Sequence, residues 1–273
     1  MKRERWKNLN GLWEFTIRPK SEASRPDKFD GHILVPFCVE SALSGVKKKV
    51  LETDQLWYHR VFDVPEDWSE QRILLHFGAV DWETTVWVNG RKVGDHRGGY
   101  DPFSFDITDM LKASGSQEIV LSVWDPTDKG RQARGKQQII PEGFMYTPAS
   151  GIWQTVWLEP VPVSHIRSIR IEPDIDENCV WVTVDTVNTN DAYTVETKTL
   201  LPGQGTIPVV VESRAGRRLR ISLRKEPQTR LWSPDSPFLY DLQVTLKDRT
   251  GKTIDTVESY FGMRKYRSAK MNT

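Results

Sequence analysis

Alternation with a period of two runs through most of this chain, and it narrows the fold more than any other feature. Leu12 to Ile17, Leu56 to Val64, Arg72 to Phe77, Thr84 to Asn89, Glu118 to Trp124 and Gln154 to Glu159 interleave apolar and polar residues and are rich in β-branched and aromatic types. Successive side chains of a strand point to opposite faces, so such runs read as half-buried strands. Asn89-Gly90, Gly98-Gly99, Ser114-Gly115 and Asp125-Pro126 separate them at spacings suited to antiparallel sheets. The best helical candidate, Ile107 to Ala113 with Asp106 or Thr108 as its cap, has room for a turn or two. A doubly wound sheet is therefore disfavoured and the chain reads as all-β.

The pattern changes around Pro160-Val-Pro162. Beyond it come Ile166 to Glu172, Val180 to Val187, Tyr193 to Leu200, Thr206 to Glu212, Arg218 to Arg224, Leu239 to Lys247 and Thr253 to Phe261. Strands of that number over about 100 residues suit an immunoglobulin-like sandwich. The 273 residues are enough for two domains. We place them at 1–163 and 164–262, with 263–273 as a linker cut short. Cys38 and Cys179 fall in different domains, so free thiols are expected rather than a disulfide framework.

Charge and hydropathy exclude several classes of function. Lys and Arg total 38 against 37 Asp and Glu, a net charge of +1. A dedicated nucleic-acid binder needs a basic surplus to displace counterions. No run approaches the roughly 20 apolar residues of a membrane span. No apolar segment follows Met-Lys-Arg-Glu-Arg-Trp, so no signal peptide is read there and the compartment stays open.

Few residues carry a chemical signature of their own. The five His show no metal-ligand spacing. Asp125 and Asp128 could contribute to a calcium site, but one turn does not fill a six- to eight-fold oxygen shell, and a solvated turn is the expectation. Gly203-Gln-Gly205 lacks the flanking strand and helix of a nucleotide loop. No G-x-S-x-G elbow occurs. Glu66-Asp67 reads as solvated surface, and Arg214, Arg217, Arg218, Arg220, Arg224 and Lys225 as a charged strand edge in preference to an anion-docking site. No cofactor or metal is expected. Trp82, Trp87, Trp153 and Trp157 could form a sugar-stacking platform, but Trp87 alternates with Val86 and Val88, and core burial is the expectation for all four.

Several motifs then fit one family together. The run from Asp81 to Thr108, DWETTVWVNGRKVGDHRGGYDPFSFDIT, resembles the sugar-binding jelly-roll domain that opens family 2 glycoside hydrolases, the β-galactosidase and β-glucuronidase group. Gly11-Leu-Trp-Glu-Phe15, Val35-Pro36, Trp57-Tyr58 and Val64-Pro65 precede it in the family's order, and Ser150-Gly-Ile-Trp-Gln-Thr-Val-Trp-Leu-Glu159 resembles the closing strand. In the second half, Leu231 to Tyr240 and Phe261-Gly-Met-Arg264 resemble the end of the family's immunoglobulin-like domain.

The resemblance implies a jelly-roll β-sandwich followed by an immunoglobulin-like β-sandwich, the non-catalytic N-terminal part of a retaining hydrolase acting on β-galactoside-like glycans. Family members continue into a (β/α)₈ barrel bearing an acid/base and a nucleophilic glutamate. Neither that barrel's His-Tyr-Pro nor its Asn-Glu occurs here, so no catalytic residue is assigned and no turnover is expected from this chain alone. The implied contribution is bracing the barrel and lining one side of its pocket. In relatives an acidic residue reaches the sugar from the loop before the Ser-Gly-Ile strand; the matching position is Met145, whose thioether cannot accept hydrogen bonds as a carboxylate does, so either specificity differs from that of the group or Tyr146 takes over the contact. A second contact comes from the loop before Trp57-Tyr58, which points to Thr53 and above all Asp54. An autonomous carbohydrate-binding module and a scaffold that forms a homo-oligomer are the competing readings; none involves nucleic acid or membrane.

Overall fold

The structure, a computed structural model, describes residues 1–22, 24–200, 208–223 and 229–265. It divides into two compact units, one spanning Arg5–Pro160 and the other running from Val161 onward together with Met1–Glu4. The first unit contains β1 (Lys7–Asn8), β2 (Gly11–Pro19), β3 (Gly31–Val35), β4 (Asp54–Phe62), β5 (Arg72–Phe77), β6 (Val80–Asp81), β7 (Glu83–Val88), β8 (Arg91–Arg97), β9 (Phe103–Asp106), β10 (Gln117–Trp124), β11 (Gly151–Ile152) and β12 (Val156–Val161). The second contains β13 (His165–Asp174), β14 (Cys179–Val187), β15 (Thr194–Leu200), β16 (Pro208–Arg214), β17 (Arg218–Ser222), β18 (Tyr240–Lys247) and β19 (Thr253–Phe261). Gly203-Gln-Gly205, Arg224 and Lys225 lie outside the described residues. Among the described residues no helix is long and apolar enough to cross a membrane.

A six-stranded sheet, ordered β3-β2-β4-β10-β7-β8, and a four-stranded sheet, ordered β1-β12-β5-β9, make the first sandwich. The period-two pattern explains its core. Trp13, Phe15, Leu56, Tyr58, Val86, Val88, Ile119 and Leu121 fill the inner face of the larger sheet, and Ile73, Leu75, Phe77, Val156 and Leu158 fill that of the smaller. Leu121 lies opposite both Tyr58 and Val86, at the centre of the ladder.

The same alternation corrects the expectation for the tryptophans. Val86 and Val88 are fully buried, so Trp87 between them faces the other way, where it stacks on Trp57 with ring centroids 5.8 Å apart. Trp82, Trp87, Trp153 and Trp157 are all half-buried, and none belongs to the core cluster. Trp57 is nonetheless only 2% exposed. The segment between β2 and β3 reaches the polar side of the same sheet, with Arg25 pairing with Glu118 and Phe29 stacking on His59.

The expected helix shrinks to one 3₁₀ turn, Thr108–Met110. Side chains take the backbone groups a longer helix would need. Asn89 donates to the Met110 carbonyl at 2.9 Å, and the Gln117 amide oxygen accepts the Lys112 N–H at 2.8 Å.

In the second unit a three-stranded sheet, β13-β14-β17, and a four-stranded sheet, β16-β15-β18-β19, enclose Val180, Val182, Leu219, Ile221, Leu242, Val244 and Val257. Arg3 is buried here. Its guanidinium pairs with Asp255 at 2.9 Å and donates to the Ile166 carbonyl, while Asp255 accepts the Ile166 N–H at 2.8 Å, tying β13 to β19. Arg218 and Arg220 lie over Trp181 and pair with Glu172 and Glu177, so this part of the basic run is locally neutralised.

Truncating Leu121 to Ala opens a cavity between the first unit's sheets and is expected to lower stability by about 3 kcal/mol. Leu12, 66% exposed on β2, supplies the contrast: Leu12→Ala should change stability by less than about 0.5 kcal/mol. Urea titration of the two variants checks both.

Candidate functional site

One end of the first sandwich collects side chains that are distant in sequence. β6 pairs with β11, which brings Asp81 opposite Gly151. Gly151 has φ +87, and a Cβ there would lie 1.9 Å from the Tyr58 hydroxyl, so only glycine fits both the conformation and the space. Burial pushes the Tyr58 phenol far up, and its oxygen accepts the Ile152 N–H at 3.4 Å. Gly99 serves Asp81 in the same way, because a Cβ at that position would meet the carboxylate at 2.3 Å.

Three carboxylates surround this junction. Ser150 donates its hydroxyl to Asp125 at 2.6 Å and its N–H to Glu40 at 2.9 Å. Asp125 also accepts the Thr127 N–H at 2.6 Å, which starts the long loop from residue 126 to 150. Gln137 ties the middle of that loop down, donating to Asp81 at 2.9 Å and accepting the Ala149 N–H at 2.7 Å. Burial, reinforced by the charge of Asp125, pushes both Glu40 and Asp81 up to about 7. Cys38, beside Glu40, is pushed up chiefly by burial, so its thiol is not poised as a thiolate nucleophile.

The turn expected to be solvated is thus largely interior. Asp125 is 2% exposed, and Asp128 accepts the Ile139 N–H at 3.1 Å. Among the described residues no group of three or more His, Cys, Asp or Glu is arranged to hold a metal ion.

The loop and the sheet end frame a pocket of about 240 Å³ lined by Asp81, Tyr100, Arg134, Lys136, Tyr146 and Trp153, among others. Trp153 is oriented by donation from its indole N–H to the Gly99 carbonyl at 2.7 Å, and it meets Tyr100 edge-on at 6.2 Å. Tyr146 is 65% exposed, and its backbone pairs with Lys136 and Gln138. Aromatic faces, a carboxylate and two cations converge here. Stacking on apolar C–H faces and hydrogen bonding to hydroxyls are what such a set can do.

Of the residues expected at a site, Tyr146 lines this pocket and Asp54 does not. Asp54 opens β4, and its carboxylate accepts the Leu51 N–H at 2.9 Å. Met145 is half-buried and does not line the pocket. Asp81, Tyr100 and Gln137 escaped the reading of the sequence as site residues, and Trp153, weighed there as a sugar-stacking residue, was assigned to the core. Asp81 and Tyr100 sit inside the longest recognisable run, beside the Gly98-Gly99 bend, and that bend was the signal available.

Comparison with known proteins gives this geometry a context. Residues 44–162 match the sugar binding domain of glycosyl hydrolases family 2, and residues 164–264 match a second domain of the same family. The chain belongs to glycosyl hydrolases family 2. It carries the sugar-binding and immunoglobulin-like domains of the N-terminal part of such enzymes. A β-glucuronidase of Paenibacillus borealis is 27% identical over 94% of this chain and 45% of its own length. A β-galactosidase of Thermoanaerobacter pseudethanolicus is 27% identical over 70% of this chain and 26% of its own length. The chain therefore spans less than half of these relatives. A β-glucuronidase structure from Ruminococcus gnavus in complex with uronic deoxynojirimycin shares the fold with a TM-score of 0.74 at 21% identity, covering 98% of this chain and 47% of the other.

The elevated carboxyl groups make stability depend on pH in a definite direction. Unfolding returns Glu40 and Asp81 to ordinary values of 4.5 and 3.8, so between those values and about 7 the folded protein holds protons that the unfolded chain has released. Stability should fall as pH rises through that window, by up to about 1.4 kcal/mol per pH unit for each group, and level off above it. Denaturation at about pH 5 and about pH 8 measures the slope, which Glu40→Gln and Asp81→Asn should each flatten.

Proposed function

We propose that this chain is the non-catalytic N-terminal part of a retaining glycoside hydrolase acting on β-galactoside-like glycans, with the first sandwich supplying one wall of the substrate pocket. What supports this reading is the convergence of Tyr100, Tyr146 and Trp153 with Asp81 inside the region that matches the family's sugar binding domain. Aromatic rings present a flat apolar surface to a sugar's C–H face, and the carboxylate and Gln137 offer partners for hydroxyls. Tyr146 makes the contact that the Met145 thioether cannot, because its phenol both donates and accepts. Asp54, held at the start of β4 by the Leu51 N–H, is the second contact proposed, from a separate loop.

The hydrolytic step belongs to two glutamates on a (β/α)₈ barrel, one protonating the leaving oxygen and the other forming the glycosyl intermediate. Neither sandwich supplies that pair in this reading; both brace the barrel. A wall contact that acts mainly through binding shifts KM more than kcat.

Tyr146→Ala in a protein carrying these domains with their barrel should raise KM for aryl β-galactosides by about tenfold and leave kcat within about twofold. The 273-residue chain alone should show no turnover of aryl β-galactosides or β-glucuronides. An unchanged KM, or turnover by the chain alone, would contradict the proposal.

A further inference from the structure

Asp81 lines the pocket beside Tyr146, but its neighbour Trp82 lines another. This second pocket, of about 440 Å³, is bounded by Glu52, Trp82, Trp124, Lys129, Arg131 and Gln132. It uses residues 129–132 of the long loop, whereas the first pocket uses residues 134–137, so the loop has one pocket on each of two consecutive stretches.

The walls of the second pocket are built rather than incidental. Trp82 and Trp124 meet at 73° with ring centroids 6.0 Å apart, forming a corner of two indole surfaces. Trp124 cannot turn freely, because its N–H donates to the Glu52 carbonyl at 2.8 Å and the Lys20 ammonium lies 2.9 Å from its ring centroid. Gln132 is held by donation to the Thr127 carbonyl at 2.8 Å. Both tryptophans are half-buried, so the corner is accessible while its framework stays fixed.

The pocket lining carries an excess of positive charge. Lys129 and Arg131 are exposed, and neither has an ion-pair partner among the described residues. Glu52 is the one acidic residue among those lining the pocket. An apolar corner suits the C–H face of a pyranose ring, and unpaired cations at its mouth suit a carboxylate or sulfate on that ring. The volume falls within the range of small-ligand pockets, about 300 to 1,000 Å³.

We propose that the Trp82–Trp124 pocket is a second carbohydrate subsite that takes an anionic sugar unit, its C–H face against the two indoles and its acid group between Lys129 and Arg131. This rests on the carbohydrate-handling role proposed above but not on the Tyr146 pocket, and the two fail separately.

Titration calorimetry on the chain, with methyl β-D-glucuronide, methyl β-D-galactoside 6-sulfate and methyl β-D-glucoside as probes, tests it. At least one anionic glycoside should bind saturably with a dissociation constant on the order of 1 mM. Preference between the two tells carboxylate from sulfate. The neutral glucoside should bind about tenfold more weakly, and added salt should narrow that gap. The double variant Lys129→Ala/Arg131→Ala, altered at two exposed positions, should weaken anionic binding about tenfold, whereas Tyr146→Ala should leave it in place. Binding lost in Tyr146→Ala but kept in the double variant would overturn this proposal and support the first pocket alone. Equal affinity for the glucoside, or no saturation by either anionic probe below about 50 mM, would overturn it as well.

Discussion

Burying carboxylates at the end of a β-sandwich is costly unless each finds hydrogen bonds, and the first unit meets that demand through Ser150. Its hydroxyl and N–H bind Asp125 and Glu40, while Gln137 satisfies Asp81. Burial, with the charge of Asp125 added to it, raises Glu40 and Asp81 to about 7. The loop from residue 126 to 150 is therefore anchored at its start by Asp125, in its middle by Gln137 and at its end by Ser150. That loop supplies one side of each pocket, Tyr146 and Arg134 to one and Lys129 and Arg131 to the other.

The tryptophans show how strictly the strand period sorts function from packing. Trp13 lies on the inner face of β2 and is part of the core. Trp57 and Trp87 sit on the opposite face of the same sheet and stack on each other. Trp82 and Trp153 stand at the sheet end, each lining a different pocket. A residue type that composition alone assigns to the interior is thus divided by position among three environments. In the second unit the buried Arg3–Asp255 pair ties one sheet to the other, and Met1–Glu4 completes that sandwich rather than the one it precedes in sequence.

The strands that carry the core were legible because their alternation is apolar on one side only. Others were not, for identifiable reasons. β8 (Arg91–Arg97) is an edge strand of mostly charged residues, and β9 (Phe103–Asp106) has four residues. β6 and β11 are two residues each and exist only because they pair with one another. The site was legible in part. Tyr146 follows from the family resemblance, as the neighbour of the position that matches the relatives' contact residue. Asp81 meets Gln137 across 56 residues and lies opposite Gly151 across β6 and β11, and that convergence is a property of the fold which no local pattern records.

The network around Ser150 preorganises the loop that faces the two pockets. Amide hydrogen exchange at Ala149 and Ser150 tests it most directly, since those N–H groups donate to Gln137 and Glu40. Protection at both sites should be comparable to that of the central strand β10 and should be lost at Ser150 in Glu40→Ala. Exchange at both sites as fast as in an unstructured peptide, with β10 still protected, would contradict it.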